Sequence, residues 1–108
     1  MATVTTAEMQ TKVKDLLKSL GTGPNKIADS LKEMKIKGYR SESDQCPITK
    51  LIRKQFKNLK GICSTSDAIE FTLRGEDCVV QIPKAVGKFM DKFDNGDYPE
   101  LAFKEAGV

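Results

Sequence analysis

The chain contains no histidine. That absence removes the commonest general base, the Ser-His and Cys-His nucleophile pairs and most zinc sites. Cysteine is scarce. Cys46, Cys63 and Cys78 are odd in number and irregular in spacing, so they make neither a disulfide framework nor a zinc knuckle. Two of them fall in predicted strands, where a thiol serves as a small buried hydrophobe. No apolar run approaches the length of a membrane span. The first residues, Met1 to Thr6, have neither the basic start nor the apolar centre of a secretory signal. These absences give the expectation of a cytoplasmic protein with no membrane segment. Paired catalytic carboxylates are missing as well: Asp91, Asp94 and Asp97 lie in or just after a surface helix, and Glu76-Asp77 lies in a turn. No enzyme, catalytic residue, metal or cofactor is expected.

What is present is the composition of an ordinary globular domain, with 39% hydrophobic and 31% charged residues in 108. One domain, residues 1–108, is the natural reading. Thr5 and Glu8 have the spacing of a capping box, and Met9, Val13, Leu16, Leu17 and Leu20 recur as one stripe, which predicts a first helix over about Thr6–Leu20. Pro24 opens a second, with Ile27, Ala28, Leu31 and Met34 inward and Gly38 as its left-handed C-terminal residue. A polar loop from Tyr39 to Gln45 leads to Cys46-Pro47 and a third helix reaching about Asn58, with Ile48, Leu51, Ile52 and Phe56 toward the core. Ile62 to Ser64 reads as a short strand. Ile69, Phe71 and Leu73 alternate with polar residues, a turn follows at Arg74 to Asp77, and Cys78 to Ile82 returns as a hairpin. Pro83 opens a closing helix whose Val86, Phe89, Met90 and Phe93 make the cleanest amphipathic stripe, ended by Asn95-Gly96. The expected fold is α+β and winged-helix-like: three N-terminal helices, a β-hairpin extended to three short strands, and a C-terminal helix. For the tail from Tyr98 onward, folding back on the core and pairing with another subunit both remain open.

Net charge is only +3, but its distribution is uneven. No acidic residue occurs between Asp44 and Asp67, whereas Lys50, Arg53, Lys54, Lys57 and Lys60 supply five positive charges there. Lys35, Lys37 and Arg40 lie just upstream. Such a field attracts phosphate-bearing or acidic partners. The plainer alternative is a solvated helix face.

The run Ile27, Ala28, Leu31, Ile36 and Gly38, followed by a loop and the helix from Pro47 to Lys57, resembles the helix-turn-helix of site-specific recombinases and related regulators. The resemblance implies that the third helix enters the major groove. Lys50, Arg53, Lys54 and Lys57 would then contact phosphates or bases, and Arg74 would act from the hairpin as a wing. A glycine before a basic loop, a Cys-Pro helix start, a hairpin and the segment Phe93 to Pro99 are together similar to small uncharacterised proteins of actinobacteria and their phages. That likeness implies an accessory protein without naming an activity.

Nucleic acid is therefore the first partner expected. A nucleotide signal is the alternative. Backbone N–H groups at Ile48 and Thr49 and the Thr49 hydroxyl would hold its phosphate, Arg40 would clamp it and Tyr39 would stack on its base. A homo-oligomer interface would deepen such a pocket. The third reading is an inhibitor of another protein, docking through the basic helix or through the tail from Tyr98 to Val108. The residues singled out as phosphate-binding are Lys37, Tyr39, Arg40, Thr49, Lys50, Arg53, Lys54, Lys57 and Arg74.

Overall fold

A computed structural model describes residues 5–39, 45–65 and 67–102. Its chain order is α1 (Thr6–Ser19), α2 (Pro24–Glu33), α3 (Pro47–Gln55), β1 (Lys60–Ser64), β2 (Ala68–Leu73), β3 (Glu76–Gln81), α4 (Lys84–Asp94) and a short 3₁₀ turn at Pro99–Leu101. This is a mixed α+β fold of four helices and a three-stranded antiparallel sheet ordered β1-β2-β3, an arrangement compatible with a winged helix.

Local chemistry accounts for most element ends. The Thr5 hydroxyl accepts the Glu8 N–H at 3.1 Å and caps α1. Between β2 and β3, Arg74 (φ 50°) and Gly75 (φ 81°) both take left-handed values. These are the conformations of a tight hairpin turn whose twist matches the strands it joins. Gly96 (φ 108°) closes α4, with its N–H donated to Phe93 O and that of Asp97 to Lys92 O.

The exit from α2 differs from the sequence expectation. The left-handed residue is Lys35 (φ 57°), not Gly38. Lys35 N–H donates to Lys32 O and Ile36 N–H to Leu31 O, both at 3.0 Å, the paired bonds of a Schellman end. Turning at Lys35 buries Ile36 in the core. Gly38 is required for another reason. A β-carbon built there would stand 2.5 Å from Gln45 O, 2.5 Å from Pro47 N and 2.6 Å from Cys46 C. The backbone of α2's exit lies directly on the backbone that starts α3.

The inner face of the sheet presents Ile62, Ser64, Ile69, Phe71, Leu73, Cys78 and Val80, all buried. The outer face carries Cys63, Glu70, Thr72, Asp77 and Val79, of which Val79 is 54% exposed. Helix α1 packs against β3, where Gln10 Nε2 donates to Val79 O at 3.0 Å. Helix α3 packs against β1, and α2 packs on α4.

The described part of the tail, residues 98–102, folds back on the core. Leu101 is buried, and its carbonyl accepts the Gly38 N–H at 2.8 Å. Tyr98 stacks on Phe89 with ring centroids 5.3 Å apart, and its hydroxyl donates to Asn25 Oδ1 at 2.8 Å. Lys32 pairs with Glu100.

Two substitutions test the α2 exit in opposite directions. Gly38→Ala is expected to lower unfolding free energy by about 1–3 kcal/mol, because only rigid backbone surrounds the added methyl. Lys35→Gly is expected to raise it by up to about 1 kcal/mol, through relief of the left-handed penalty. Urea unfolding of both variants measures each.

Candidate functional site

Helix α3 is two things in sequence. Its first turn is interior: Cys46, Pro47, Ile48 and Thr49 are all buried. Its last turn, Arg53 to Gln55, is exposed. The reason lies in the cap. Cys46 is the N-cap residue and its sulfur accepts the Thr49 N–H at 3.5 Å. The Thr49 hydroxyl donates to Ser64 Oγ at 2.6 Å, joining α3 to β1 beneath the surface. The thiol is thus a capping and packing group. Thr49, expected to offer its hydroxyl to a phosphate, instead spends it on Ser64, and its N–H is already taken. The ligand site imagined at the start of α3 loses two of its donors.

The helix also stops earlier than its apolar spacing predicts. Phe56 leaves helical geometry (φ −128°, ψ 81°), and the chain turns through Lys57 and Asn58, with Leu59 N–H donated to Phe56 O. Lys57 therefore sits in the turn into β1. Lys50, Arg53 and Lys54 keep the i, i+3, i+4 spacing of one helical face; Lys50 is half-buried and the other two exposed.

This turn assembles the site. Arg53, Lys57, Leu59, Lys60, Gly61, Ile62 and Cys63 line a concavity of about 520 Å³ between the end of α3 and β1. Three cations line it, Leu59 and Ile62 behind them are buried in the core, and no carboxylate is among its described lining residues. Gly61 (φ 59°) contributes no side chain, and a β-carbon there would meet nothing nearer than Thr72 Oγ1 at 3.8 Å. Lys60 was missing from the sequence-derived set because it lies past the predicted end of the helix, whereas β1 in fact begins at Lys60; the acid-free run from residue 45 to 66 was the signal that included it.

Other expected residues lie elsewhere. Lys37 lines a second concavity of about 420 Å³ with Lys32, Lys35, Ile36, Glu100 and Leu101. There Glu100 already serves Lys32. Their hydrogen bond raises the Lys32 pKa above its ordinary value and lowers that of Glu100. Tyr39 is half-buried and donates its N–H to Gln45 O at 2.8 Å, pinching the base of the intervening loop. Arg40 lies outside the described residues. Arg74 is at the hairpin tip, at the same end of the sheet as Lys60, whose partner in β2 is Thr72. Glu76 and Asp77 stand beside it, and Asp77 accepts the Thr72 hydroxyl at 3.1 Å, so the tip carries charge of both signs.

Thr49→Val is expected to cost about 1–3 kcal/mol by stranding the Ser64 hydroxyl. Thr49→Val combined with Ser64→Ala should cost less than Thr49→Val alone, because both members of the buried pair are then apolar. Urea unfolding of the cycle measures the coupling. Neither change should alter affinity for a phosphate-bearing ligand measured well below the unfolding transition.

No family model, curated protein or solved structure matches the chain.

Proposed function

We propose that the protein is a non-enzymatic module that binds nucleic acid through phosphate contacts made at the end of α3 and the start of β1. The observation that carries this reading is the convergence of Arg53, Lys57 and Lys60 on one concavity with no carboxylate among its described lining residues. A polyanion that meets these cations gains entropy by releasing its condensed counterions. Lys54 and Lys50, on the adjoining helix face, extend the positive surface. Arg53 is suited to grip a phosphate with two parallel N–H donors, whereas the lysines act as point charges.

A nucleotide signal is the weaker alternative, because the Thr49 hydroxyl and N–H it was to use are engaged internally. The cytoplasm is the setting that goes with a nucleic-acid partner. Three free cysteines, Cys46, Cys63 and Cys78, accord with a reducing compartment.

Fluorescence anisotropy with a labelled mixed-sequence oligonucleotide, offered both as a single strand and as a duplex, tests the reading. Micromolar or tighter binding at low salt is expected, weakening steeply as salt rises. Arg53→Ala with Lys57→Ala should weaken binding across sequences and reduce the log–log salt slope by about 2, one for each phosphate contact removed. Absence of binding to either form at micromolar protein and low salt would overturn the proposal.

A further inference from the structure

We infer that the chain forms a symmetric dimer in which the free edges of two β3 strands join into one six-stranded sheet.

The parity of the hairpin decides which backbone groups of β3 are free. The two-residue turn at Arg74 and Gly75 makes Leu73 and Glu76 a hydrogen-bonded pair, and Phe71 with Cys78 and Ile69 with Val80 follow at alternate positions. Asp77, Val79 and Gln81 therefore turn their backbone N–H and C=O groups away from β2. Gln10 shows the same direction, since its amide reaches Val79 O from outside the sheet at 3.0 Å. The N–H groups of Val79 and Gln81 have no partner among the described residues.

An edge of this kind is a template for another strand. The usual guards, a proline, a lysine or a bulge, are absent from residues 77–81. The strand instead offers Val79, which at 54% is the exposed large hydrophobic residue among the described residues. The other edge strand, β1, is irregular between Lys60 and Cys63, α3 packs against it, and its Ile62 and Ser64 are buried.

The occupant is a second copy because the edge complements itself. In antiparallel pairing centred on Val79, each Val79 faces its counterpart and Asp77 faces Gln81 of the second copy. Every outward residue of one edge then meets an outward residue of the other. The two exposed valines cover each other, and a carboxylate stands opposite an amide donor. Val79 O keeps a second lone pair for the incoming N–H. Registers shifted toward the turn bring the two Asp77 carboxylates together. Registers shifted the other way set Asp77 or Val79 against Pro83, which has no N–H.

Helix α1 carries the same symmetry. Ala7, Gln10, Thr11 and Lys14 form one i, i+3, i+4, i+7 face and line a concavity of about 420 Å³ with Val79, Val80 and Gln81. Gln10 lies beside the axis through Val79, so a second α1 runs antiparallel to the first. Lys14 is thereby set toward Ala7 of the second copy rather than toward its own counterpart. The rest of that face is uncharged, which suits the centre of an interface. The dimer puts the two α3–β1 recesses at opposite outer edges of the sheet, and the inference does not depend on what they bind.

The test is analytical ultracentrifugation of the full chain over rising concentration. A mass that climbs toward twice that of one chain is expected. Val79→Lys sets two like charges at the axis and should raise the dimer dissociation constant about tenfold or more. Circular dichroism should show the fold retained, because the replaced side chain is exposed. Val79→Cys in a Cys63→Ser background should give a disulfide-linked dimer on mild oxidation, since directly opposed residues of such a pair stand about 5.5 Å apart at Cα, within disulfide reach. Should Val79→Lys fail to fold, the Val79→Cys link decides. A chain that stays monomeric up to about 1 mM overturns the inference and leaves the edge to a strand from another protein. A dimer that Val79→Lys does not weaken, or that Val79→Cys does not link, overturns the assignment to β3.

Discussion

Three stretches of backbone meet at Gly38. Its α-carbon lies against the Gln45 carbonyl and the Cys46–Pro47 peptide, and its N–H is donated to Leu101 O. Main chain approaches main chain so closely here that no side chain fits between. The consequences run outward in two directions. Toward α3, the contact sets where the helix begins and hence which of its residues face β1. Toward the C-terminus, it fastens the segment that carries Tyr98, Glu100 and Leu101 over α2. Backbone contact of this kind is rigid, because neither partner can relieve a clash by changing rotamer. A small fold without disulfides gains from such a fixed point.

The placement of α3 follows, and with it the division between structure and surface. Nearly everything in its first turn is spent on folding: a thiol cap, a proline at the first helical position, a buried hydroxyl pair with Ser64. Burial of this turn is favourable because each polar group has found a partner, and a buried hydroxyl without one would be costly. The charges collect at the other end, where the helix stops and the strand begins. The short turn at Lys57-Asn58 brings cations from a helix, a turn and a strand to one recess. The recess therefore draws its charges from three kinds of local structure rather than from one helix face.

The helix stripes, the hairpin and the closing helix were legible residue by residue. Val86, Phe89, Met90 and Phe93 repeat at the helical period, Ile69, Phe71 and Leu73 at the strand period, and both sets are buried. Those patterns are local consequences of side-chain direction. Lys35 was not legible as the left-handed residue, since glycine a few positions later looked the better candidate and nothing local betrays the contact that Gly38 makes. Lys57 was misplaced because the helical period continues through Phe56 although the helix does not. Thr49 was misassigned because hydroxyl chemistry at a helix start suits a ligand and a buried partner equally well; the partner, Ser64, is distant in sequence.

By itself the sequence determined the class of fold, the order of its elements, the inward residues of each and the stretch that carries positive charge and no acidic residue. Each is written in short-range periodicity and composition. Only the tertiary structure decided which of those charges share a recess, that Thr49 belongs to the interior, and that the segment from Tyr98 to Leu101 returns to α2. These depend on contacts between residues far apart along the chain, such as Thr49 with Ser64, Asn25 with Tyr98 and Gly38 with Leu101. Such contacts form because the packed core holds the elements in place, and no local pattern of residues encodes them.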